Sequence, residues 1–215
     1  MPEPIEEHAA VKQYNDPISV AKRAKQKLYL VSQADKNAML EQIIRSLSKA
    51  KAVVITKTKR GADAVQKYLQ TRDINAIAVH SNKGKEACEA GAKAFNEGEI
   101  DILITTDMIL QSLPLTDIEM MLGYDLPLEP EHYLSRIGCM SETGETISFV
   151  SKEEETLLFF IERKMRQEIV QEELEGFVPT PESEQMPKSL QTHKKKPRHK
   201  KTKSKPKDVS KDKKA

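Results

Sequence analysis

The feature that most constrains the fold is an alternation that repeats along the chain. Short, continuously apolar runs are separated by stretches whose apolar residues recur every three or four positions. The runs are LYLV (28–31), AVVIT (52–56), AIAV (76–79), DILIT (101–105), EMMLG (119–123) and TISFV (146–150). Between them, Met39, Leu40, Ile43, Ile44 and Leu47 mark one face of a helix over 34–48, and Val65, Tyr68 and Leu69 share a face of the next. Ala87, Ala90, Gly91, Ala94 and Phe95 line a third helix, and PEHYLSRIG (130–138) reads as a short fourth. A strand that is apolar at every position is buried on both faces. Such strands alternating with helices predict βαβ units, a mostly parallel sheet and helices on either side of it. From Ser151 a last helix is predicted to run to Gly176. Ser151 is its N-cap, Glu153 to Glu155 fill its first turn, and Leu158, Ile161, Met165 and Ile169 form its apolar stripe.

At 215 residues there is room for one ordinary domain with flanking segments. Residues 1–25 are a polar lead-in broken by Pro2, Pro4 and Pro17, residues 26–178 are the domain, and 179–215 are a Lys-rich tail. The tail has too few apolar residues to offset its ordering entropy, so disorder is expected there. Charge sharpens that division. Lys188 to Ala215 carry twelve Lys, one Arg and two Asp, a net +11, whereas the whole chain is +2, which leaves −9 for residues 1–187. An acidic body joined to a basic tail points to nucleic-acid contact by the tail. Cys88 and Cys139 make neither a metal spacing nor a disulfide framework, as in a reducing compartment. No apolar run approaches the ~18 residues of a membrane span, and the N-terminus has no apolar signal core. A soluble cytoplasmic protein without membrane contact is expected.

The chemistry is defined first by what is missing. No G-x-x-x-x-G-K-[ST] loop is present to cradle phosphates, and no D-E-A-D string to hold magnesium. His80 and His132 have no nucleophile at a useful spacing, and Gly84 with Lys85 at a strand-to-helix turn is only a weak anion signal. No catalytic residue, ATP-binding residue, metal or cofactor is expected.

Seven strings carry a family resemblance: QKLYLVSQADK (26–36), VVITKTKRGADAVQKYL (53–69), VHSNKGKEA (79–87), ILITTD (102–107), GYDLP (123–127), EHYLSRIG (131–138) and TGETISFVS (143–151). In content, order and spacing they resemble the second RecA-like domain of DEAD-box RNA helicases, nearest the RhlE-like group, over about residues 14–178. The resemblance implies a RecA-like helicase C-terminal domain. It implies RNA-facing roles for Thr56, Lys57, Thr106, Asp107 and Arg136.

The departures follow from the same comparison. Where the family reads H-R-I-G-R-T-G-R, this chain reads S-R-I-G-C-M-S and is then shortened. Arg136 is kept, Ser135 stands for the histidine and Cys139 for the first of two ATP-facing arginines, and the second has no counterpart. Losing such an arginine costs ~10³–10⁵ in rate, and a cysteine cannot present a permanently charged planar fork. Where the family reads A-T-D-x-A-A-R-G-L-D, Gln111 replaces the arginine, Ser112 the glycine and Pro114 the terminal aspartate. Lys85-x-x-Cys88 stands for Q-x-x-R, so an RNA-facing arginine is missing there too.

These observations lead to an expected function. The chain should be a non-catalytic, RNA-associated adaptor that touches RNA nonspecifically through Lys194, Lys195, Lys196, Arg198, Lys200, Lys201, Lys203, Lys205 and Lys207. A helicase first domain or the ribosome is the expected class of protein partner. Two alternatives remain: a helicase subunit completed in trans by a separate first domain, and a protein-binding module that touches no RNA.

Overall fold

The computed structural model describes residue 18 and residues 21–22, 24–47, 51–141 and 143–181. Most of the expected lead-in and, beyond Pro181, the Lys-rich tail with its nine named cations lie outside the described residues, as does its expected disorder.

Fifteen sequence-ordered segments build the described chain around seven strands: β1 (Lys25–Leu30), β2 (Ala52–Thr56), β3 (Ala76–Ala78), β4 (Ile102–Thr106), β5 (Met120–Gly123), β6 (Glu145–Val150) and β7 (Val170–Glu172). The helices between them are α1 (Lys36–Ser46), α2 (Lys59–Gln70), α3 (Lys85–Glu97), α4 (Asp107–Leu110), α5 (Pro130–Gly138) and α6 (Glu155–Met165), with 3₁₀ turns at Ser81–Lys83 and Lys152–Glu154. The sheet order is β3-β4-β2-β5-β6-β1-β7. Every strand pair is parallel. This is the expected RecA-like parallel sheet flanked by helices.

Strand alternation divides the core between the two faces of the sheet. Ala52 and Val54 of β2, with Ile102, Ile104 and Leu122, face one apolar layer under α1 and α2. Val53 and Ile55, with Leu103 and Met121, face the other, where Phe95 and Ala92 of α3 pack. Further along that second side, Leu28 and Val150 meet Tyr133, Leu134 and Ile137 of α5 and Ile161 and Met165 of α6. All five residues of β2 and of β4 are buried, which explains their unbroken apolar reading. Thr58 caps α2, its Oγ accepting from the Gly61 backbone N–H at 2.9 Å.

Two sequence expectations are corrected. The helix predicted over 151–176 ends at Met165, because Arg166 adopts a left-handed conformation at φ 56° and closes it. Ile169 does reach the core, but from extended chain rather than from a helical stripe. The chain then adds β7 against β1, a seventh strand that the apolar pattern did not reveal. Gly176, at φ 73°, turns the segment after β7 rather than stopping a helix. In that segment Leu174 and Phe177 pack on the core, Gln42 Nε2 donates to the Glu175 carbonyl at 2.9 Å, and Thr180 Oγ donates to Asp35 Oδ1 at 2.6 Å. The second correction concerns α3. Cys88, Gly91, Ala92 and Phe95 face inward while Ala87 and Ala90 are exposed. The reason is a close approach at Gly91, where an added Cβ would stand 2.7 Å from Val79 Cγ2.

Candidate functional site at the carboxyl edge of the sheet

In an open parallel sheet the loops leaving the carboxyl ends of the strands gather the polar groups. Here they do so from five strands. Lys36, six residues beyond β1, has a fully buried side chain whose Nζ lies 2.6 Å from Glu154 Oε2 and 3.3 Å from Asp125 Oδ1. Asp125, just past β5, accepts at its other oxygen from the Lys57 backbone N–H at 2.9 Å, which fixes the loop after β2. Glu154 accepts from the Leu126 and Ser151 backbone N–H groups at 3.1 and 3.0 Å, so Ser151 and Glu154 close the turn that leads into α6. The Asp125 carbonyl in turn accepts from Arg136 Nη1 at 3.0 Å. Arg136 also makes a bidentate pair with Asp107, Nε to Oδ1 at 2.6 Å and Nη2 to Oδ2 at 2.8 Å. A buried charge is tolerated only when paired and hydrogen-bonded, and each of these groups meets that condition.

The residues expected to face RNA are gathered at this one edge but in different roles. Thr56 is fully buried and its hydroxyl donates to backbone carbonyls of Thr58 and Thr105 at 3.1 and 3.3 Å. Thr106 is buried at the end of β4. Arg136 is 3% exposed, with its guanidinium engaged by Asp107 and the Asp125 carbonyl. Lys57 is exposed and its ammonium is directed at no acidic partner among the described residues. Asp107 is spent on Arg136.

At the positions where the resemblance expects further cations, the chain places other things. Cys139 caps the end of α5, and together with Met140, Ile109 and Leu115 it packs against the apolar layer around Leu110, Leu113 and Phe95. Burial pushes its thiol pKa up, so it rests as the neutral thiol. Gln111 is exposed, and Ser112 Oγ donates to the Ile109 carbonyl at 2.8 Å. Cys88 is buried with its Sγ 3.4 Å from the His80 carbonyl, while Lys85 is exposed 3.7 Å from Glu89. Gly84 precedes α3 at φ 84°. His132 is exposed, 4.0 Å from Glu129. Among the described residues no group of three or more His, Cys, Asp or Glu could hold a metal ion, and no helix is long and apolar enough to cross a membrane.

Sequence reasoning missed the hub. Lys36 lies 89 residues from Asp125 and 118 from Glu154, separations that leave no local spacing to read.

Comparison with known proteins agrees with this geometry. Residues 35–141, which begin at Asp35 beside the hub and end just beyond α5, match the helicase conserved C-terminal domain. The chain carries a helicase C-terminal domain. The human protein named "Probable ATP-dependent RNA helicase DDX23" is 26% identical over 179 residues, 80% of this chain and 21% of that protein. A DEAD box protein from the hyperthermophile Methanococcus jannaschii superposes with a TM-score of 0.67 at 26% identity, covering 71% of this chain and 43% of the other. Dbp5 L327V of S. cerevisiae, bound to RNA and ADP BeF3, superposes with a TM-score of 0.65 at 24% identity, covering 73% of this chain and 44% of that one. The chain spans from about a fifth to a third of the curated relatives it matches, 21% to 33%. This helicase C-terminal domain therefore corresponds to one part of those longer proteins.

Proposed function

We propose that this helicase C-terminal domain, nearest in its motifs to the RhlE-like branch, serves as an RNA-associated adaptor and not as an ATP-hydrolysing machine. One observation carries the reading. Arg136 is clamped between Asp107 and the Asp125 carbonyl, and Cys139, where the resemblance expects an arginine, is packed into the apolar layer. A neutral, half-buried thiol cannot stabilise charge on a transferring phosphoryl group. The retained ion pairs hold the loops of the edge in register, which suits a scaffold.

RNA association is supported by the relatives, since Dbp5 is captured with RNA on the same fold. In this chain it falls to exposed cations of the folded edge, Lys57 first, and to the tail from Lys194 to Lys207. A protein partner would dock on the folded body in the cytoplasm, a helicase first domain or a ribosomal surface being the expected kind.

The test is RNA-stimulated phosphate release by the full chain, alongside affinity purification with and without RNase. The adaptor reading expects no release above a heat-treated control, and co-purified RNA lost on RNase treatment. Turnover by the purified chain overturns it. Turnover only after adding a separate first domain favours the subunit completed in trans, and partners retained without any RNA favour the protein-binding module.

A further inference from the structure

The RNA-facing edge contains a carboxylate at a place where it works against that role. Asp63 of α2 stands 2.9 Å from the ammonium of Lys83, in the 3₁₀ turn after β3. The same oxygen, Oδ1, lies 3.2 Å from Nε2 of His80. That approach is off the ideal line, so the buried imidazole leaves both ring nitrogens without a well-aligned partner. Beside this pair, Lys59 Nζ donates to Asn82 Oδ1 at 2.8 Å and ties the loop after β2 to the same turn. Lys57 and Lys59, running from the loop after β2 into the start of α2, and Lys83 and Lys85, in the 3₁₀ turn and at the start of α3, thus belong to two adjoining connections. Among these four only Lys83 is engaged by an exposed carboxylate of another element.

Resting on the RNA reading above, we propose that Asp63 is a built-in counter-anion that occupies Lys83 and withholds it from a nucleic-acid phosphate. Lys83 and Asp63 are each about half exposed, at 41% and 48%, so a phosphate can reach the ammonium without unfolding the turn. The Lys83 ammonium, and after it the approaching His80 ring, hold the Asp63 carboxyl below the usual carboxylate range, which keeps it anionic at neutral pH. The exchange is between two weak, screened contacts, so the effect is a tuning of affinity, not an on–off switch.

Asp63→Asn in the full chain tests this, because the amide oxygen can still accept from Lys83 while the charge is gone. The first readout needs no RNA: labelling of Lys83 by an amine-reactive reagent, measured by mass spectrometry against the exposed Lys93. In the variant Lys83 should label about two- to five-fold faster, the range expected for a surface ion pair. The second readout is protection of Lys83 from labelling by a short oligouridylate at low salt, which should be greater in the variant than in the wild type. As a control, Lys83→Met should remove any gain in RNA affinity that Asp63→Asn produces. An unchanged labelling rate in a variant with wild-type circular dichroism overturns the sequestration. Faster labelling without protection in either protein keeps the ion pair but removes RNA from this surface, which is a failure of the RNA reading instead.

Discussion

Two regions that α5 connects make an instructive contrast. Around Lys36 and Arg136, charged side chains are buried, paired and bonded to the backbone of neighbouring loops. Around Cys139, a few residues further along the same helix, the groups are apolar and rest on the sheet layer below. The first region spends its charges inside the domain. The second is where the resemblance would have charges directed outward. The difference separates two reasons for keeping a cation: Arg136 ties α5 to the start of α4 and to the loop after β5, so its loss would damage the fold, while a cation at position 139 would serve only a ligand.

Removing Lys36 should strain that contrast most. Lys36→Met leaves two largely buried carboxylates without their cation and should cost about 3–5 kcal/mol in a urea unfolding curve. The triple change Lys36→Met, Asp125→Asn, Glu154→Gln should recover part of the loss, because no unpaired charge remains. Equal instability of the two would mean that packing and not charge pairing matters here. Arg136→Lys comes next. A point charge cannot span both oxygens of Asp107 and the Asp125 carbonyl, so a loss of about 1–3 kcal/mol is expected by the same method.

Cys139→Arg approaches the contrast from the other side. Placing a guanidinium against Ile109 and Leu115 should destabilise by about 1–2 kcal/mol and should not create ATP hydrolysis. Recovered hydrolysis would show that this one side chain had been limiting. The smallest effect is expected at Thr180→Val, which removes a hydroxyl bond to Asp35 worth about 1 kcal/mol. Burial alone would raise the Asp35 pKa, but hydrogen bonds from Thr180 and Ser32 outweigh it and depress it. A depressed carboxyl contributes stability above its unfolded value and loses it as pH falls through its folded value. The gap between wild type and variant should therefore be full at neutral pH and close below about pH 3.8.

Much of the fold was legible because β2 and β4 are buried at every residue, so their apolar runs, and the helices spaced between them, survive any choice of neighbours. What could not be read depended on tertiary geometry. The stripe through Leu158, Ile161, Met165 and Ile169 satisfies a helical period, yet Arg166 ends the helix without a glycine or proline to announce it. β7 has three exposed residues and no apolar alternation, and only pairing with β1 makes it a strand. At the site, motif strings located Asp107, Asp125 and Arg136 but not their mutual engagement. Thr56 and Arg136 look equally polar in the sequence as Lys57, and only burial distinguishes the two that face inward.

Both outermost strands, β3 and β7, are three residues long. A sheet margin with so few open N–H and C=O groups is a poor template for another chain to extend, and the exposed Glu172 at the end of β7 and Glu173 after it add repulsion between copies. The wholly buried, mostly apolar strands that would zip into cross-β fibres are held in the interior positions β2 and β4. Concentrated solutions of the native domain should accordingly resist edge-to-edge aggregation, with that hazard confined to chains that have unfolded.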